Sequence, residues 1–159
     1  MPFPQPSHPF RTILVDGMPP RVLCIESDDA RRARMRRVLE TAGFAVDEAG
    51  TGLAGIHRAL TLPPDAVIVS VHLSDMDGTE IAARLKQERG LAQVPFLAVG
   101  DAAVEHDVAL AAGADAFLAR PVDDSRLGEE VRAVLAGRRE PVLRRGHRLR
   151  TARRRRGGT

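Results

Sequence analysis

Four short stretches of this chain end an apolar run on residues that can bind a cation, move a proton or neutralise a phosphate. Val22-Leu23-Cys24-Ile25 stops at Glu26, followed by Ser27, Asp28 and Asp29. Ala66–Val71 carries Ser70 near its end and opens through His72 into the acidic loop Asp75-Met76-Asp77-Gly78. Pro95–Val99 stops at Gly100 and Asp101, and Asp115–Ala119 stops at Arg120-Pro121. Grouped carboxylates are the hard oxygen donors that a divalent cation takes, and a positive charge opposite them neutralises a phosphoryl group in transfer. A serine hydroxyl such as that of Ser70 is a poor acceptor, because it needs an adjacent base to attack phosphorus. His72 could serve as that base or as a ligand, but it reads more simply as a side chain near the loop. A metal site of Glu26, Asp28 and His72 has no ligand spacing behind it. The aspartates of these loops read most simply as helix caps, with Asp101 at the start of the helix that follows it.

These residues need a frame that brings strand ends together. Arg21–Glu26 suits a strand buried on both faces. Ser27-Asp28-Asp29 offers N-caps for a helix marked by Met35, Val38, Leu39 and Ala42, and Gly43 ends it. A second strand is expected at Phe44–Glu48, and a second helix through Leu53, Ile56 and Leu60, stopped by Pro63-Pro64. The third strand is Ala66–Val71, with a helix from about Gly78 to Glu88. The fourth strand is Pro95–Val99, and its helix is marked by Val104, Val108 and Ala111 and closed by Gly113. The fifth strand is Asp115–Ala119, and the last helix carries Leu127, Val131, Val134 and Leu135. Five strands alternating with five helices predict an α/β fold, a doubly wound five-stranded parallel sheet flanked by five helices. In such a sheet the ligand crevice lies at the carboxyl ends of the strands, where Glu26-Ser27, Ser70, Gly100 and Arg120 fall.

Charge divides the chain. Residues 138–159 hold ten arginines against the single Glu140, a net +9, and residues 1–137 hold fourteen basic against twenty acidic residues, a net −6. Three parts are expected: a proline-rich flexible extension over 1–20, a globular domain over 21–137, and an arginine-rich disordered tail over 138–159. Thr12–Val15 could add a short extended segment to the first part. The one cysteine, Cys24, sits in an apolar strand and reads as a buried core residue of a reducing compartment. Met1–Pro20 lacks the apolar stretch of a secretory signal, and Ala66–Val71 is too short to span a bilayer.

Residues 21–137 resemble the receiver domain of response regulators, of the chemotaxis-regulator kind. The resemblance is carried by the acidic cluster after the first strand, Asp75-Met76-Asp77-Gly78, Ala112-Gly113-Ala114-Asp115-Ala116-Phe117 and Arg120-Pro121 taken together. In that family two acids after the first strand, together with an aspartate eight before the loop glycine, hold magnesium. The aspartate accepts a phosphoryl group, which a Ser or Thr ending the fourth strand and a Lys ending the fifth then grip. By that correspondence Glu26 keeps the first acid, while Ser27 replaces the second and Ser70 the acceptor. Gly100 replaces the hydroxyl residue and Arg120 the lysine. The resemblance thus implies a degenerate phosphorylation site, no enzymatic activity, no cofactor and weak or absent magnesium binding, with Glu26 and Asp28 the weak metal candidates. Arg120 is expected to pair with Glu26 or Asp28 across the crevice, replacing an ion by a fixed charge. Phe117 matches the family's switch aromatic, and packing at the sheet edge explains it equally well.

The function implied is a cytoplasmic, phosphorylation-independent adaptor in two-component signalling. Its partners would be a histidine kinase, another regulator, an output protein or a second copy of itself, met through the fourth helix, fifth strand and fifth helix. Two alternatives stay open: a conventional regulator phosphorylated on a neighbouring aspartate such as Asp75, and a nucleic-acid-associated protein. The second rests on Arg144, Arg145, Arg148, Arg150, Arg153, Arg154, Arg155 and Arg156, which have no interleaved aromatics. Such a run suits plain attraction to phosphates or acidic surfaces rather than base stacking, and a solubilising role accounts for it as well. Arg31, Arg32, Arg34, Arg36 and Arg37 on the first helix read as a solvated face or a docking face for a kinase.

Overall fold

The computed structural model describes residues 17–101 and 103–139. Strands β1 (Arg21–Ile25), β2 (Ala45–Ala49), β3 (Ala66–Ser70), β4 (Phe96–Gly100) and β5 (Ala116–Ala119) alternate with α1 (Asp29–Thr41), α2 (Gly52–Thr61), α3 (Gly78–Lys86), α4 (Ala103–Ala111) and α5 (Asp124–Arg139). The strands form one parallel sheet in the order β2-β1-β3-β4-β5. Parallel strands covered on both faces must be apolar throughout, and β3 and β4 are buried at every position.

Alternation along the strands sorts the core into two layers. Leu23, Ile25, Val67, Val69 and Phe96 point to the side of α2 and α3, where they meet Ile56, Ala59, Ile81 and Leu85. Val22, Cys24, Ile68, Leu97 and Val99 point to the other side and meet Leu39 of α1 and Leu127, Val131 and Leu135 of α5. Burial of each such leucine or isoleucine contributes about 1.5–3 kcal/mol. A smaller cluster of Val71, Ala98, Ala109 and Ala114 holds α4, with Phe117 packed against it.

Two helices present faces other than those expected. Leu53 and Leu60 of α2 are exposed, and the helix packs through Gly52, Gly55, Ile56 and Ala59. A side chain at Gly55 would run into Ile25, and one at Gly52 into Met76, so small residues let this helix approach the sheet closely. In α4, Val104 and Val108 are 70% and 52% exposed, while Ala109 is fully buried. Of the residues that marked α2 by spacing only Ile56 faces the core, and Val104 and Val108 of α4 do not, because most of the remaining contact is made through glycine and alanine.

Local signals set the ends. The carboxylate of Asp28 accepts from the Arg31 amide at 2.8 Å and caps α1, Thr51 caps α2 through the Ala54 amide at 3.0 Å, and Asp77 caps α3 through the Thr79 amide at 2.8 Å. Gly43 and Gly113 take φ of 98° and 111° just beyond α1 and α4, a region that glycine enters freely. Helix α5 continues through Arg139, two residues past the expected end of the globular domain at 137. The expected extension over 1–16, including Thr12–Val15, and the tail over 140–159 lie outside the described residues. Among the described residues no helix is long and apolar enough to cross a membrane.

Candidate functional site

The sheet turns direction between β1 and β3, and the carboxyl ends of β1, β3, β4 and β5 meet there. Ser70 closes β3 and is fully buried. The loop after it folds back so that the Gly78 amide donates to the Val71 carbonyl at 2.7 Å, with His72 and Asp77 bridged across it. Any side chain at position 78 would overlap the carbonyl oxygen of Ser70. The loop glycine is therefore set by how closely the turn passes the strand end.

Arg120 enters from the end of β5, where the Arg120–Pro121 peptide is cis. Its amide donates to the Gly100 carbonyl at 2.8 Å, which places its side chain over the neighbouring strand ends. Nη2 donates to Ser70 Oγ at 2.9 Å and to Glu26 Oε1 at 3.1 Å, and Nη1 donates to Asp101 Oδ1 at 3.2 Å. Glu26 is only 1% exposed. A carboxylate so buried requires a charged partner, and the fork-shaped guanidinium can serve several acceptors at once. The second oxygen of Glu26 accepts from the Ser27 amide at 3.0 Å, and Arg31 stands 3.7 Å from the first.

Of the two partners expected for Arg120, Glu26 takes the role, and Asp28 is turned away to cap α1. Asp101 joins the pair, its carboxylate held by Arg120. Ser27 ties two loops together, its hydroxyl meeting Ser74 Oγ at 3.2 Å and accepting from the Ser74 amide at 2.9 Å. His72 does not approach Glu26 or Asp28; its Nε2 pairs with Glu105 on α4. Among the described residues no three His, Cys, Asp or Glu side chains converge as cation ligands. Beside the cluster a cleft of about 380 Å³ opens between α1 and the start of α5, floored by Met35, Val38, Val122 and Leu127, with Glu26 and Arg120 in its wall.

Gly100 ends β4 with the space above its Cα already filled. A side chain there would meet the Glu105 carboxylate and the ring of Phe117. Glu105 Oε2 accepts from the Asp101 amide at 2.7 Å. Phe117 also sits edge-on to His106 of α4, with centroids 5.6 Å apart and planes at 85°. The aromatic is thus packed between β4 and α4, directly against Gly100.

Two further groups are held in fixed states. The Gly52 and Leu53 amides at the start of α2 donate to the two carboxylate oxygens of Asp75 at 2.8 and 3.0 Å and hold its pKa below the ordinary carboxylate value. Burial, helped by Glu48 and Asp47, pushes the Cys24 thiol well up, so it stays protonated.

Sequence reasoning named Glu26, Ser70, Gly100 and Arg120, and the fold brings all four together. It missed Glu105, whose only signal was an acid in the first turn of a helix that follows a glycine-ended strand. Of the α1 arginines, Arg34 is drawn to Asp124 through Nε at 3.0 Å and Nη2 at 2.6 Å, and Arg36 to Glu40 and Glu48 at 2.6 and 3.1 Å. The polyanion candidates from Arg144 to Arg156 lie outside the described residues.

A family model described as the response regulator receiver domain matches residues 22–132, more than half of the chain. Response regulator MprA of Mycobacterium sp. (strain KMS) is 31% identical over 118 residues, which cover 74% of this chain and 51% of that protein. Transcriptional regulatory protein CseB of Streptomyces coelicolor is 34% identical over 116 residues, covering 72% and 48%. The chain spans about half the length of these relatives. Among solved structures, a response regulator receiver domain protein (CheY-like) from Methanospirillum hungatei JF-1 aligns with a TM-score of 0.71 at 24% identity, over 77% of this chain and 98% of that one. Chemotaxis response regulator CheY4 of Vibrio cholerae aligns at 0.69 and 21% identity, over 72% and 98%. At these identities the likeness is one of fold.

Proposed function

This chain belongs to the response regulator receiver family, and from that premise we propose that it is a pseudo-receiver, an adaptor that signals without being phosphorylated. Receiver domains are signalling modules of two-component systems. In this one Ser70 occupies the acceptor's place, and the internal ion pair of Arg120 and Glu26 stands where a metal ion and a phosphoryl group would otherwise be held. The observation that carries the reading is Arg120 donating at once to Ser70, Glu26 and Asp101. A divalent cation would have to displace a guanidinium from a buried carboxylate, and that carboxylate is the only one left of the expected three. Hard cations favour several oxygen ligands, so the exchange is unfavourable.

The module works through protein contacts in the cytoplasm and has no catalytic role. Its docking face is α4, β5 and α5, where Val104, Val108 and Leu110 are exposed. The partner is a histidine kinase, another regulator, an output protein or a second copy. Phosphorylation on Asp75 is the less favoured reading, since both of its oxygens are already engaged by the start of α2. A polyanion-binding role for the tail has no structural observation behind it.

The test is a magnesium titration of the full chain followed by heteronuclear NMR. The expected result is that the backbone amides of Glu26, Ser70 and Arg120 stay unmoved through millimolar magnesium. Saturable shifts centred on Glu26 and Ser70 would overturn the reading.

A further inference from the structure

We propose that Glu105 is a latch that fixes α4 on the sheet, and that position 100 is glycine to make room for it. Gly100 is not among the glycines with positive φ, so its backbone does not demand glycine. What excludes a side chain is space, because the Glu105 carboxylate and the Phe117 ring lie where a Cβ would project. That one carboxylate joins three elements. Oε2 accepts from the Asp101 amide at the end of β4 at 2.7 Å, Oε1 pairs with His72 in the loop after β3, and its own backbone lies in the first turn of α4.

The latch matters because, apart from Phe117, only small apolar contacts hold this helix. The buried cluster beneath α4 is Val71, Ala98, Ala109 and Ala114, a set of small side chains, and the valines of α4 face outward. A helix with few apolar contacts opens locally at low free energy unless a polar anchor closes it. Glu105 is 14% exposed as a side chain, sheltered enough for charge-assisted bonds to count. Its anchorage sets where Val104 and Val108 are displayed and keeps the Phe117 ring packed on Gly100. This inference rests on the reading of α4 as part of the docking face and adds what controls that face: an internal carboxylate in place of an added ligand.

Amide hydrogen exchange of the full chain, resolved by peptide, tests it in the wild type and in Glu105→Ala, Gly100→Ala and the double variant. In Glu105→Ala the α4 peptides should exchange about tenfold faster, as loss of charged hydrogen bonds implies, with α1 and α5 unchanged. Gly100→Ala should do the same by expelling the carboxylate, and the added methyl should have a smaller effect once Glu105 is already alanine. That coupling is a readout that ordinary helix stabilisation would not give. Glu105→Gln, which can still accept from the Asp101 amide, should recover part of the protection. Unchanged α4 exchange in Glu105→Ala, or additive effects in the double variant, would overturn the latch. Should Gly100→Ala fail to fold, His72→Ala and Glu105→Ala decide it, since both must loosen α4 selectively. Phosphoryl labelling, measured separately, reports on the proposed function and leaves the exchange result standing either way.

Discussion

The guanidinium of Arg120 meets the buried carboxylate of Glu26 at 3.1 Å, joining the end of β5 to the end of β1 across 94 residues. Ser70 lies between them, its hydroxyl accepting from the same nitrogen at 2.9 Å. An ion pair so placed fixes a guanidinium in the crevice, a charge internal to the chain that no release of ligand can remove. It also makes the pair a point of vulnerability, because neither charge can be lost alone without leaving the other in low dielectric.

Replacing Arg120 by Met should therefore destabilise the domain by about 3–5 kcal/mol, the cost of breaking a buried pair from one side. The double change Arg120→Met with Glu26→Gln should recover much of that loss, since no unpaired charge remains. Denaturant unfolding followed by far-UV circular dichroism measures both, as the chain has no Trp or Tyr to report by fluorescence. Equal stability of the single variant and the wild type would contradict the pairing.

Gly78 and Gly90 make a matched contrast. Gly78→Ala should cost about 1–3 kcal/mol or more by forcing the loop off the Ser70 carbonyl. Gly90→Ala meets nothing within 4 Å and should be neutral or slightly stabilising. Thermal melts of the two variants suffice to compare them.

The pKa of Asp75 is lowered in the folded chain by the Gly52 and Leu53 amides, so the unfolded chain binds its proton more readily. Its contribution is thus fully present at neutral pH, starts to fade near the ordinary carboxylate value of about 3.9, and is lost as pH falls through the lowered folded value. Asp75→Ala should be less stable than the wild type at pH 7, and the gap should narrow on acidification through that range. A gap that widens as pH falls would have the wrong sign.

Cys24 is fully buried and its thiol is held protonated. Iodoacetamide at neutral pH should leave the native chain unmodified and label it promptly in denaturant. Rapid native labelling, read by intact mass, would mean that β1 opens far more often than its packing implies.

Much of this was legible in the residues. Apolar runs of four to six marked β1, β3, β4 and β5, because strands buried on both faces of a parallel sheet show no polar alternation. The half-buried edge strand β2 instead carries Asp47 and Glu48. The pairing of Arg120 with Glu26 was also foreseeable, since both stand at strand ends that a doubly wound sheet must bring together. The outward faces of α2 and α4 were not. Apart from Ile56, their contacts run through Gly52, Gly55, Ala59 and Ala109, while the larger Leu53, Leu60, Val104 and Val108 that a periodicity argument weighs most lie on the solvent side. Glu105 was invisible for a related reason: its place depends on the side chain that Gly100 lacks, and a missing side chain has no pattern.

The most direct measurement of the central claim is the intact mass of the full chain after incubation with acetyl phosphate and magnesium, alongside Asp75→Ala. The account predicts no added phosphoryl group in either chain. A phosphoryl adduct on the wild type that disappears in Asp75→Ala would contradict it and establish a conventional regulator with a displaced acceptor; an adduct on both would contradict it from another position.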